Sequence, residues 1–153
     1  MLPLIIVTGP TTSKKSETAI ELAEKINSEI ISADSMQVYK YFDIGTAKVT
    51  PEDRSRVPHH LVDILEPDQE FSAFDFKTRA LDHTRELLNQ GKVPIITGGS
   101  GLYIKALCEG YDCAVQINPQ IKKQVQSDIL TNGLTKMHMQ LQQTHPDPEK
   151  PDT

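Results

Sequence analysis

A parallel α/β sheet with helices on its flanks is the fold this sequence predicts, and three observations predict it. Short apolar runs rich in Ile and Val alternate with stretches of helical period, the pattern of strand–helix–strand units. The first run, Leu4-Ile5-Ile6-Val7, leads through Gly9-Pro10-Thr11-Thr12-Ser13-Lys14-Lys15-Ser16 into an amphipathic segment. That octet follows the phosphate-loop pattern Gly-x-x-x-x-Gly-Lys-Ser/Thr at its first Gly, its Lys and its Ser, with Lys14 where the second Gly belongs. Further on, Gly98-Gly99-Ser100-Gly101 turns another apolar run into a helix.

Each element has its own signal. The run at residues 4–7 is continuous and β-branched, as suits a strand covered on both faces. Ala19, Ile20, Leu22, Ala23 and Ile26 then recur at helical spacing, with Glu17, Glu21, Glu24 and Lys25 on the polar side. Glu29-Ile30-Ile31-Ser32-Ala33 reads as a second strand ending at Asp34-Ser35. Residues 35–58, holding Gly45, Pro51 and Pro58, are too irregular for one element, and so long a connection points to function. A third strand is expected over His60-Leu61-Val62-Asp63-Ile64-Leu65, stopped by Glu66-Pro67-Asp68.

Ser72, with Asp75 three residues on, forms a short-armed capping box. The helix it opens carries Phe74, Phe76, Ala80, Leu81, Leu87 and Leu88 and stops at Gly91. Val93-Pro94-Ile95-Ile96-Thr97 is a fourth strand, whose Pro implies a strand start or a sheet edge. A helix over residues 102–107 follows. Asn118-Pro119 starts a polar helix running to about Gly133, and another spans about Leu134 to Gln143. The turn-rich stretch from His145 to Thr153 is expected to be disordered. The chain thus divides into an α/β core over 1–110, a helical hairpin over 111–144 and a tail over 145–153.

Composition narrows the function classes. A chain of 153 residues with 37% hydrophobic content holds one core. Its net charge of −5 excludes a surface that is basic throughout for nucleic acid. Such a partner would have to use local sites such as Lys14/Lys15, Lys40, Lys48, Arg54/Arg56 and Lys122/Lys123, each of which reads first as solvated surface. Two cysteines, Cys108 and Cys113, make neither a disulfide framework nor a zinc site and read as reduced thiols. No apolar stretch approaches the ~20 residues of a membrane span. The first strand begins beside Met1, leaving no room for a leader peptide, so a cytoplasmic protein without a membrane partner is expected.

Open α/β sheets bind ligands beyond the carboxyl ends of their strands. A phosphate loop there implies a di- or triphosphate held by backbone N–H groups and a helix N-terminus, with Lys15 adding charge and Ser16 a hydroxyl for Mg²⁺. The bland alternative is a plain strand-to-helix turn. Lys14 meets one of two problems: a left-handed backbone costing about 1–2 kcal/mol, or a Cβ that crowds the phosphate. Asp34, just past an apolar strand, can accept a proton or hold a metal, or simply cap the element after it. Ser100 can offer its hydroxyl to a ligand, or act as an N-cap.

Longer stretches carry a resemblance. The phosphate loop is followed by Asp34-Ser35-Met36-Gln37-Val38-Tyr39-Lys40 and Asp43-Ile44-Gly45-Thr46-Ala47-Lys48. Pro58-His59-His60-Leu61-Val62-Asp63, Phe71-Ser72-Ala73-Phe74-Asp75-Phe76 and Gly98-Gly99-Ser100-Gly101-Leu102-Tyr103-Ile104-Lys105-Ala106-Leu107 come next. Together they resemble the tRNA dimethylallyltransferase family, continuously over residues 4–110 and more loosely to about 146. The resemblance implies a P-loop-type parallel sheet with flanking helices, followed by a partial helical insertion. It implies a monomer that moves a prenyl group from dimethylallyl diphosphate to the exocyclic amine of a tRNA adenine beside the anticodon.

By the same resemblance, residues 9–16 cradle the diphosphate, Lys15 and Ser16 assist departure of pyrophosphate with Mg²⁺ on Ser16, and Asp34 takes the amine proton. Asp34, Ser35, Met36, Gln37 and Ser100 would contact the flipped-out adenosine, and Lys122 the tRNA. The chain departs from the family pattern at Lys14 and in length, since members continue well past residue 153 and this chain has no Arg after Arg85. Two other readings compete: a P-loop small-molecule kinase with Asp34 activating a hydroxyl, for which no arginine cluster serves as a lid, and a non-catalytic remnant.

Overall fold

Two Ile-Ile pairs, Ile30-Ile31 and Ile95-Ile96, build the centre of the fold. Successive side chains of a strand point to opposite faces, so each pair serves both sides of one sheet. The computed structural model describes residues 3–10, 13–109 and 118–144. In it the pairs lie in register on neighbouring parallel strands, Ile30 beside Ile95 and Ile31 beside Ile96. The strands are β1 (Ile5–Thr8), β2 (Ile30–Ser32), β3 (His59–His60) and β4 (Ile95–Gly98), in the spatial order β1-β4-β2-β3, all parallel. On one face Ile30 and Ile95 pack with Ala19, Ile20 and Ala23 of α1 (Lys15–Ile26) and with Val57. On the other, Ile31, Ala33 and Ile96 meet Phe76, Ala80 and Leu87 of α3 (Ala73–Asn89) and Tyr103 of α4 (Gly101–Cys108). The Phe76 and Tyr103 rings stack at 4.5 Å. Each Ile, Leu and Phe side chain among them withdrawn from water contributes about 1.5–3 kcal/mol, the alanines less, and this three-layer burial holds the sheet together.

The expected helix ends are present. Ser72 accepts from the Asp75 amide, while the Asp75 carboxylate accepts from the Ser72 amide, so both arms of the capping box form. Pro94 precedes β4 and gives its carbonyl to Ile5 N at 3.0 Å. Because β4 lies between β1 and β2, the strand-start reading of Pro94 holds and the edge reading fails. Ile26 and Phe74 sit at the end of α1 and the start of α3, and each is 40% exposed rather than core.

The third strand is shorter than expected. Only His59 and His60 pair with β2, after which Leu61 (φ 61°) and Asp63 (φ 56°) take left-handed conformations that end an extended strand. The chain then turns onto the segment after β2: Asp63 N donates to Gln37 O, Ile64 N to Val38 O, and Tyr39 bridges Leu65. Within the irregular 35–58 connection, α2 (Pro51–Arg56) forms where Thr50 caps Asp53 N and Pro51 fills the first turn.

The chain divides into two compact units, Met1–Cys113 and Ala114–Thr153. The second holds α5 (Pro119–Asn132), capped by the Asn118 side chain on Gln120 N, and α6 (Leu134–Thr144), joined through Gly133 at φ 78°. Val125, Ile129, Met137 and Leu141 line an apolar groove between these two helices. Among the described residues no helix is long and apolar enough to cross a membrane. The expected tail 145–153 and the link at 110–117 lie outside the described residues.

Candidate active site

The loop after β1 is closed by its own backbone. Ser13 N donates to Pro10 O at 3.3 Å, and a Cβ on Gly9 would stand 2.9 Å from Ser13 Oγ, so the close crossing favours glycine there. Thr11 and Thr12 lie outside the described residues. Lys14 occupies the N-cap of α1 at φ 58°, ψ 18°. The second glycine position therefore demands a left-handed backbone, which Lys14 supplies at a strain of about 1–2 kcal/mol. Its side chain is 81% exposed and pairs with Glu17 at 3.6 Å. Lys15 Nζ reaches back to Pro10 O at 3.4 Å. The first intrahelical bond runs from Thr18 N to Lys14 O, so the preceding amides at the positive end of the helix have no intrahelical acceptor and suit an anion.

At the end of β2, Asp34 Oδ1 accepts from Met36 N at 2.9 Å and Gln37 N at 3.2 Å. The turn uses one carboxylate oxygen and leaves Oδ2 for other partners, so capping and chemistry coexist in one residue. Ser100 stands at the N-cap of α4, yet its side chain caps nothing there. Its Oγ instead accepts from Ser35 N at 2.9 Å, while its own amide donates to Ala33 O. A Cβ on Gly98 would lie 2.1 Å from Ala33 O. The exits of β2 and β4 are thus pressed together, and only glycine permits the approach.

These exits frame a cavity of about 940 Å³. Lys14, Lys15 and Ser16 line it from the loop, Ser32, Asp34, Met36 and Gln37 from β2 and its turn, and Thr97, Gly98 and Gly99 from β4. Ser35 and Ser100 meet each other rather than line it, and Lys122 lies on α5 of the second unit. The remaining wall runs over residues 41–47 with Val49 and His59; its apolar members are Tyr41, Phe42, Ile44, Ala47 and Val49, and Asp43, Gly45 and Thr46 stand among them. Ile44 is 98% exposed and Tyr41 72%, so they are apolar groups without a core to fill. Gln37 Nε2 donates to Thr46 O at 3.3 Å and Ala47 O at 3.2 Å, which holds this wall to the Asp34 turn. Burial keeps the His59 imidazole below the usual histidine range despite its 2.7 Å contact with Val57 O. A carbonyl only accepts, so Nδ1 carries the proton and the neutral ring leaves Nε2 unprotonated.

Sequence reasoning had found the strand exits but not this wall, nor His59, Ser32 and Thr97. The strand-exit rule that singled out Asp34 could also have singled out Ser32 and Thr97. Among the described residues no three His, Cys, Asp or Glu side chains cluster as a metal cage. Ser16 and Asp34 do bring hard oxygens to one cavity, a donor set suited to a cation shared with phosphate oxygens and water.

A glycine-started loop on a helix N-terminus, with a carboxylate at the exit of another parallel strand, defines the class as a P-loop-type α/β protein. The chain belongs to the IPP transferase family, whose family model matches residues 37–150. It is 49% identical over 143 residues to a tRNA dimethylallyltransferase of Staphylococcus aureus, covering 93% of this chain and 45% of that protein. The chain spans about half the length of the curated relatives it matches. The crystal structure of a full-length tRNA isopentenylpyrophosphate transferase of Bacillus halodurans superposes with a TM-score of 0.72 at 35% identity, over 97% of this chain and 49% of that one. The Staphylococcus epidermidis tRNA delta(2)-isopentenylpyrophosphate transferase gives 0.67 at 48% identity, over 92% and 47%.

Proposed function

We propose that this chain carries the donor site and the proton acceptor of a cytoplasmic tRNA dimethylallyltransferase. The observation that supports this is one cavity holding a phosphate loop, a carboxylate with a free oxygen and an apolar wall. A donor with an anionic diphosphate head and a short hydrocarbon tail matches all three features. A kinase reading finds no use for Met36, Tyr41, Phe42 and Ile44.

The adenine amine attacks the first carbon of dimethylallyl diphosphate, the carbon–oxygen bond breaks, and pyrophosphate leaves with the electron pair. Lys15, once released from Pro10 O, and the amides at the start of α1 are the groups we assign to the charge that grows on the leaving oxygens. Asp34 Oδ2 receives the amine proton, while Oδ1 stays bonded to the turn and keeps the carboxylate oriented. Mg²⁺, held by Ser16 and phosphate oxygens, would supply additional neutralisation of the diphosphate. Ser35 and Met36 at the turn, and Lys122 on α5, are the groups we assign to tRNA, with Gln37 and Ser100 holding the turn in place. The base must leave its stack to reach this cavity.

The test is to incubate the purified chain with dimethylallyl diphosphate, Mg²⁺ and unmodified tRNA, then digest the RNA and weigh its nucleosides. Adenosine heavier by one dimethylallyl group is the expected product. Unaltered adenosine at saturating donor and tRNA overturns the reading.

A further inference from the structure

The apolar wall of the cavity needs something to hold it, and hydrophobic burial does not. Tyr41 and Ile44 are exposed, and Tyr41 (φ 67°) and Ala47 (φ 46°) adopt left-handed conformations that L residues with a side chain resist. Such a segment relaxes unless its surroundings over-determine it. The surroundings converge on Lys48, whose side chain is only 5% exposed. Its Nζ lies 2.7 Å from Tyr39 O, 2.7 Å from Asp43 Oδ1 and 2.6 Å from Asp63 Oδ1. Three acceptors match the three donors of an ammonium. Asp63 is itself fixed by Arg54 Nη1 at 2.7 Å and by its amide on Gln37 O. One anchor, Asp63, therefore lies outside the wall, Asp43 lies within it, and Tyr39 stands at the start of the segment that carries it.

We propose that Lys48 is a positioning residue for the prenyl donor: its enclosed ammonium ties Tyr39 and Asp43 to Asp63 and so holds residues 39–47 as the apolar side of the cavity. This rests on the donor reading above and assigns the wall's shape to a charge that touches no substrate. Burial opposes the Lys48 charge, but the hydrogen bonds with Asp43 and Asp63 outweigh it and hold its pKa above the ordinary lysine value. The staple is accordingly closed throughout the neutral range.

The test uses Lys48→Met, which leaves the partly exposed Asp63 with Arg54 as its remaining ion pair, and the milder Asp43→Ala, which removes one anchor at the exposed rim of the cavity. Backbone hydrogen exchange and calorimetric binding of dimethylallyl diphosphate and of inorganic pyrophosphate are measured for both variants and wild type. Exchange over residues 39–47 is expected to rise roughly tenfold or more, with β1, β2, β4 and α1 unchanged. Donor affinity falls roughly tenfold while pyrophosphate affinity holds, since only the tail loses its wall. Unchanged exchange at 39–47, an equal rise across the sheet, or equal weakening of both ligands overturns the role of Lys48. Wild-type protein that binds neither ligand instead overturns the donor reading on which the role depends.

Discussion

Lys14 shows how much one backbone angle decides. Its position asks for a left-handed conformation, and its exposed ammonium gains little from the surface pair with Glu17. Lys14→Gly removes about 1–2 kcal/mol of strain, offset by about 0.5–1 kcal/mol of extra freedom in the unfolded chain. The variant should therefore be more stable by up to about 1.5 kcal/mol, read as a higher urea midpoint at unchanged slope. A lower midpoint would mean that the Lys14 side chain stabilises the loop in a way its exposure does not reveal. Asp34 invites a cleaner separation. Asp34→Asn keeps an oxygen for the Met36 and Gln37 amides but cannot take a proton, so transfer should fall about 10²–10⁴-fold with the urea midpoint unmoved. Transfer at near wild-type rate would assign proton removal to another group. Both positions were legible in the sequence, because a strand exit and a glycine-started loop are local patterns. Gln37 was named there for adenosine contact, but its amide bonds to the wall were not legible, because they depend on where residues 46 and 47 fold back, which no local spacing encodes.

Among the elements, β3 teaches the same lesson from the other side. Leu61, Val62 and Leu65 are buried as their apolarity implied, yet the backbone bends at Leu61 and Asp63. Apolar residues report burial, and extended conformation is a separate property set by partners from distant segments. One such partnership crosses the sheet's other end. Glu29, ahead of β2, accepts from Lys92 Nζ at 2.6 Å and contacts His60 Nε2 of β3 at 2.7 Å, with only 15% of its side chain exposed. Burial raises the Glu29 pKa, but the hydrogen bonds with Lys92 and His60 outweigh that and leave it lowered. A lowered carboxyl pKa favours the folded state above the ordinary value of 4.5, and the benefit fades as pH falls through the folded value. Glu29→Gln should cost about 1–3 kcal/mol at pH 7, and the gap from wild type should shrink below pH 4.5. A gap that persists in acid would place its origin in packing rather than charge.

For the molecule as a whole, stability should be uneven. The sheet unit is buried on two faces, whereas α5 and α6 present Leu130, Leu134 and Leu141 to solvent and line a groove of their own. Two short helices with so little burial are marginal. Amides of β2 and β4 should therefore exchange slowest, and those of residues 119–144 at least tenfold faster, by hydrogen exchange and mass spectrometry. Equal protection would show that the hairpin is held by contacts of its own. The strand order carries a further consequence. Since β4 separates β1 from β2, the phosphate loop and Asp34 stand two strand spacings apart, roughly 10 Å at about 4.8 Å per step. Backbone hydrogen bonds set that interval, so the sheet acts as a ruler between the glycine-started loop and the Asp34 carboxylate. Side-chain substitutions can change what fills the gap, but its width changes only in whole strands. Substitution can therefore retune what lies between the loop and the carboxylate far more readily than it can change the distance between them.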